Sequence, residues 1–183
     1  ARYPAVSIMT SLLRVFFRIC LMRDKPQDLP AAGVLLAFCI AVYFLSGVLV
    51  AWPGRGLGEA FLVSLVDTPL LLLYTGLLLM ARSHLERWLQ TATALTGTGM
   101  LFNLLAMPFV FFVNLDGLSV DVASGVLGLF GYLILFLLCW NVSVIGFVYK
   151  HALNMSFIAA LIIAVSCVGL SVHLINLMVI GDP

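Results

Sequence analysis

Residues 30–52 read PAAGVLLAFCIAVYFLSGVLVAW, 23 residues without a charged side chain. A helix rising 1.5 Å per residue needs about 20 such residues to cross a hydrocarbon core about 30 Å thick. The stretch therefore has the length and apolarity of a membrane span, and the pattern returns over 58–82, 91–113, 122–149 and 157–180. Backbone groups in lipid must be satisfied internally, and these stretches lack the apolar–polar alternation of a barrel strand. The expected fold class is all-α integral membrane: five transmembrane helices preceded by a cytosolic-side amphipathic interfacial helix. Pro30 suits a first helical turn and Asp28 its cap. Residues 53–56 (PGRG) read as a tight turn, 83–90 as a short amphipathic bridge, 114–121 (NLDGLSVD) as a loop and 150–156 as a chain reversal. Pro108 is expected to bend or end the third span.

Composition leads to the same medium. Apolar residues make up 63% and charged residues 9%, against about half and about a quarter in soluble domains. So few charges cannot cover a water-facing surface, which excludes a cytosolic enzyme, a nucleic-acid binder and a secreted disulfide scaffold. The four cysteines, Cys20, Cys39, Cys139 and Cys167, are spread one per hydrophobic stretch and none has a partner at metal or redox spacing. They read as small apolar packing residues.

Residues 1–29 form a separate unit, a basic lead-in helix and linker, ahead of the bundle of 30–183. Ser7, Ser11, Arg14 and Arg18 recur at spacings of four, three and four, which puts them on one helical face. Ile8, Leu12, Leu13, Phe16, Phe17, Cys20 and Leu21 fill the rest of the arc. Such a helix lies in the headgroup plane with its apolar face in the acyl chains, gripping anionic lipid through Arg14, Arg18, Arg23 and Lys25. A sixth span with snorkelling arginines is the alternative. Arginines within the first apolar run, and no small-residue cleavage site after it, argue against a cleavable signal peptide.

Basic residues set the expected orientation. Arg2, Arg14, Arg18, Arg23, Lys25, Arg82, Arg87 and Lys150 fall on one side of the five-span scheme, and Arg55 alone on the other. By the positive-inside rule the N-terminus is cytoplasmic and the C-terminus outside, and a bacterial inner membrane is the expected location. Trp52 on the outer side, and Trp88 and Tyr149 on the inner, sit at interfacial positions.

Asp67 is the most conspicuous single residue, a carboxylate deep in the second span. Insertion scales put the cost of such a charge at about 2.5–3.5 kcal/mol, so it needs a partner or a proton. Depth along the spans nominates Asn103 and His173, with Thr68 and Asn176 nearby, as an intramembrane polar cluster. That cluster reads either as a proton, ion or polar-solute site or as an interhelical network that fixes helix rotation. Asn141, Ser143 and the threonines of the third span are the polar residues of the inner half, and no second buried charge completes a path. Small residues mark two packing faces, Thr93 and Gly97 in the third span and Ser124 and Gly128 in the fourth. His84 and His151 lie on the cytosolic rim without the further ligands a metal site needs. No residue set is catalytic, and no metal or cofactor is expected.

The chain resembles the YIP-domain family, five-span membrane proteins named for interaction with Ypt/Rab GTPases. The resemblance runs loosely over 12–178. It rests on the amphipathic lead-in, the proline-bearing stretch Lys25-Pro-Gln-Asp-Leu-Pro30, and Trp88-Leu-Gln leading through Gly97 to Pro108. Trp140 followed by Lys150-His151-Ala-Leu completes it. The long cytosolic N-terminal region of eukaryotic members has no counterpart here, so GTPase binding is not carried over. The resemblance implies a five-helix membrane domain that acts by associating with other membrane proteins. The expected function is accordingly a non-enzymatic accessory or scaffold subunit, partnered by the lipid bilayer and by other membrane subunits or its own copies. The rival expectation is a small ion- or proton-coupled transporter or channel component using Asp67 and His173.

Overall fold

In the computed structural model the backbone is described for residues 5–114 and 120–179, and side chains for 11–112 and 128–178. The chain forms helices α1 (Ala5–Cys20), α2 (Gly33–Arg55), α3 (Leu57–Ala81), α4 (Trp88–Asn114), α5 (Val120–Leu153) and α6 (Phe157–Val179). Short 3-10 turns at Pro26–Asp28 and Leu85–Arg87 precede α2 and α4, and no strand occurs among the described residues. Helices α2 to α6 are each long and apolar enough to cross a membrane. Their outward faces carry Val34, Phe38, Leu45, Leu73, Leu77, Phe136, Ile158 and Ile162, all exposed. In water that girdle would drive aggregation. Lipid tails are as apolar as leucine and solvate it without cost. The chain is an integral membrane protein of all-α fold.

Helix α4 lies between α2 and α5, α3 packs on α2 and α6, and α5 on α6. From Thr91 to Thr98 every residue of α4 is buried. The four threonine hydroxyls here donate to carbonyls one turn back, as in Thr93 to Leu89 O (2.6 Å) and Thr98 to Ala94 O (2.7 Å), with Thr91 reaching Arg87 O of the preceding turn. They are therefore satisfied by the local backbone and leave the surface of α4 small.

Several boundaries differ from the sequence expectation. Pro53 and Pro108 do not end their helices: α2 runs through to Arg55 and α4 to Asn114. A proline inside a helix frees a carbonyl, which neighbouring helices, waters and local adjustment can re-satisfy in a bundle. The predicted tight turn at 53–56 thus contracts to Gly56, whose φ of +84° is accessible to glycine. Asp28 does not cap α2, which begins at Gly33; its carboxylate instead accepts the Lys25 backbone N–H at 2.8 Å. Pro30 lies outside the helix. At the end of the bundle carrying Lys25, Arg82 and Lys150, three helices close alike. Met22, Ser83 and Asn154 take positive φ, and the next residue's N–H returns to the third carbonyl from the end: Arg23 to Arg18, His84 to Leu79, Met155 to Lys150. These are Schellman closures, which satisfy carbonyls that would otherwise be unpaired.

Helix α1 departs most from expectation. Its apolar arc is split: Leu13, Phe17 and Leu21 face outward, while Phe16, Ile19 and Cys20 are buried against α4 and α5. Gly97 makes room for the Phe16 ring; a Cβ there would stand 2.7 Å from both Cδ1 and Cζ of that ring. The Trp140 indole N–H donates to the Cys20 carbonyl at 2.9 Å. The linker is tied down too, by Gln90 Nε2 to the carbonyls of Gln27 (3.2 Å) and Leu29 (2.9 Å) and by Gln27 Nε2 to His151 O (2.9 Å). All four basic residues are exposed, and Arg18 also pairs with Asp24 at 2.8 Å. Gln90→Ala removes two linker bonds at once and is expected to cost about 1–3 kcal/mol, at roughly 1 kcal/mol per bond. Thermal unfolding in detergent measures it.

Among the described residues nothing packs on Gly128. It and Gly131 are exposed, with open space where a Cβ would stand; the side chain of Ser124 lies outside the described residues. The close approach of α5 to α6 is made instead at Gly146, where a Cβ would meet Leu161 Cα at 3.2 Å.

Candidate functional site: the carboxylate between α2, α3 and α6

Asp67 lies ten residues into α3, about 15 Å along the helix axis. Its two carboxylate oxygens are each met by a hydroxyl from a different helix. Tyr43 of α2 donates to Oδ2 at 2.6 Å, and Ser171 of α6 donates to Oδ1 at 2.5 Å. The carboxylate therefore stitches three spans together. The Tyr43 ring lies against α4, where a Cβ on Gly99 would stand 2.5 Å from Cε2. Glycine at 99 is thus a condition for tyrosine at 43.

Asn103 stands one step away. Its Nδ2 donates to Ser46 Oγ at 3.1 Å, and Ser46 donates to the Tyr43 carbonyl at 2.9 Å. It shares the site with Asp67 without bonding it. His173 is not part of the site: it is exposed, as is Asn176. Two residues turn a helix by about 200°, so with Ser171 on the inner face of α6 the histidine must point away. The proposed Asp67–Asn103–His173 cluster is thereby corrected to Tyr43–Asp67–Ser171 with Asn103 beside it. Thr68 is buried next to Asp67, but its hydroxyl, like that of buried Ser64, has no hydrogen-bond partner.

Tyr43, Ser64, Asp67, Asn103 and Ser171 border a cavity of about 390 Å³. Asp67, Ser64, Asn103 and Asn141 supply polar walls, and the remainder is mainly aliphatic, with Val50, Leu95 and Ile134 among the residues present. Among the described residues the ion pairs are Arg18–Asp24, His84–Glu86 and Arg87–Glu86, so no cationic side chain neutralises Asp67. Nearer the basic end, Thr75 donates to Leu71 O at 2.7 Å and therefore accepts from Tyr149 at 3.0 Å. Tyr149 in turn contacts Cys167, which borders the cavity. This hydroxyl line ends on a backbone carbonyl.

At the rim, His84 faces Glu86 at 3.5 Å, while His151 packs edge-on against Phe147. Among the described residues no three His, Cys, Asp or Glu side chains converge as a metal site. The sequence does not single out Tyr43, Ser64 or Ser171, and Tyr149, expected as an interfacial aromatic, is instead fully buried in the core. A usable signal existed in α3, where buried Ala60, Ser64, Thr68, Thr75 and Leu79 recur at spacings that share one helical face. Asp67 borders that stripe.

No protein-family model matches the chain, and neither a curated protein nor a solved structure does.

Proposed function

We propose that this integral membrane protein is a small transporter or channel component that takes a solute at the Asp67 carboxylate. It has no enzymatic role on this reading. The observation that carries it is a mid-span carboxylate with two hydroxyl donors, bordering a cavity and lacking a cationic side-chain partner among the described residues. A carboxylate kept only to join helices would sit in a closed network, with no adjoining space. On the small-residue face of α4, Thr93 is buried and Gly97 is covered by Phe16 of α1, so that face is not free for a partner.

The topology belongs to the same proposal: a YIP-like five-span protein of a bacterial inner membrane, its N-terminus cytoplasmic, supported by eight basic residues on one side against one on the other. Proteoliposomes with a trapped pH dye and imposed cation gradients test the transport reading. Asp67→Asn, nearly isosteric, is expected to abolish the coupled flux while the protein remains folded. Equal flux in the wild type and a folded Asp67→Asn variant would remove the basis of this reading.

A second reading, accessory or scaffold subunit, is favoured by one feature: Gly128 and Gly131 present a small-residue face that no described residue covers, of the kind that lets helices approach closely. Cross-linking in native membranes through cysteines placed at 128 and 131 distinguishes it. A specific adduct supports association, and its absence leaves that face to lipid.

A further inference from the structure

We infer that the occupant of the Asp67 cavity is a small organic monocation, an ammonium head carrying an apolar tail. The inference rests on the preceding reading of Asp67 as a solute-binding carboxylate and adds the chemical class of the solute.

Charge comes first. A carboxylate within a span is expensive unless something of opposite sign joins it, and no cationic side chain pairs with Asp67 among the described residues. Its two hydroxyl partners satisfy one lone pair on each oxygen, and a carboxylate has about four such positions. Room for a cation's donors therefore remains on the same group. Size comes second. A proton needs no cavity, and a bare metal ion would occupy a small part of 390 Å³. Small-molecule sites run from about 300 to 1,000 Å³, mostly apolar with a few placed polar groups. Wall chemistry comes third. Hard cations collect six or more oxygen ligands, but most of this wall is aliphatic or aromatic, with Val50, Leu95, Phe102 and Ile134 on it. Such a wall suits a hydrocarbon tail. Finally, an ammonium has three donors and no acceptor, which matches the acceptor positions left open on Asp67.

The test is calorimetric titration of the full chain in nanodiscs with ethyl-, butyl- and hexylammonium, and separately with sodium and with acid. The expected result is saturable binding of one amine per chain. Affinity should rise about fourfold per added methylene, the equivalent of about 0.8 kcal/mol, until the cavity is full. Asp67→Asn should weaken it about tenfold or more. Ala106, also on the wall, offers a second variant that leaves the carboxylate in place. Ala106→Leu should shorten the longest tail accepted, and an unchanged tail-length profile would overturn the inference even if Asp67→Asn fails to fold. Asp67-dependent binding of sodium or protons without amine binding would overturn it too, while leaving the transport reading standing. No Asp67-dependent binding of amine, sodium or proton would bring down both.

Discussion

Gly97→Val is expected to push α1 off the bundle. A Cβ at this position already meets the Phe16 ring at 2.7 Å at two atoms, and valine adds two methyl groups. Phe16 cannot swing aside easily, because it is 3% exposed and belongs to the same core as Ile19, Cys20 and Leu95. Overpacking of this kind costs about 1–3 kcal/mol, occasionally more. It falls on one helix–helix contact, so displacement of α1 relieves it. Cys20 reports the result. Burial favours the neutral thiol and pushes its pKa up to about 12, so the docked side chain should resist maleimide at pH 8. Displacement returns the thiol toward its ordinary range, where a usable thiolate fraction exists at that pH. In a Cys139→Ser background, which removes the exposed thiol, Gly97→Val should label at Cys20 and the parent should not. Phe16→Ala should restore protection to the Gly97→Val chain by reopening the space. Continued protection in Gly97→Val alone would show that α1 is held by something other than this contact. The same linkage fixes the sign of the alkaline response. The unfolded thiol ionises from about its ordinary pKa and the folded one does not, so stability present at neutral pH should decline as pH rises toward 12.

Trp140→Ala should produce a loss of similar size by a different route. The indole donates to Cys20 O at 2.9 Å, meets Phe102 edge-on at 5.3 Å between centroids, and tilts against Phe136 at 6.0 Å. The hydrogen bond contributes about 1 kcal/mol and each aromatic pair about 0.5–1.5 kcal/mol, so a loss of about 2–4 kcal/mol follows from those contacts. In a water-filled reference state the figure would approach the roughly 3–5 kcal/mol of core tryptophan truncations. Lipid removes part of the transfer contribution, because the unfolded helices remain in an apolar medium. Trp140→Phe should retain most ring packing and lose about 1 kcal/mol with the N–H. Since Trp140 and Gly97 both hold α1, the double variant should lose less than the sum of the singles. Full additivity, measured by unfolding in mixed detergent, would show that the two contacts do not share α1 as their target.

Asp67 and its surroundings show how sequence and structure divide the information. A single carboxylate in an apolar run is visible without coordinates, because its insertion cost makes it anomalous wherever it points. Its partners are not visible in that way. Depth along a span narrows them to a level in the membrane, and His173 and Ser171 lie at nearly the same level. Rotation of α6 decides between them, and rotation depends on which face meets α3. The same holds for Gly97 and Gly128, both small and both in spans. One receives Phe16, and the other meets none of the described residues.

The amino-acid sequence alone determined the medium, the number of long apolar helices and their approximate limits. Those follow from local quantities, namely hydropathy summed over a span and the need to satisfy backbone groups in lipid. Tertiary structure alone decided that α1 docks on α4 and α5, that prolines 53 and 108 stay within their helices, and that Asp67 meets Tyr43 and Ser171. In an apolar solvent, hydrophobicity no longer separates inside from outside. Helix rotation and contact are then set by shape and by a few hydrogen bonds, and both arise only between segments distant in the chain.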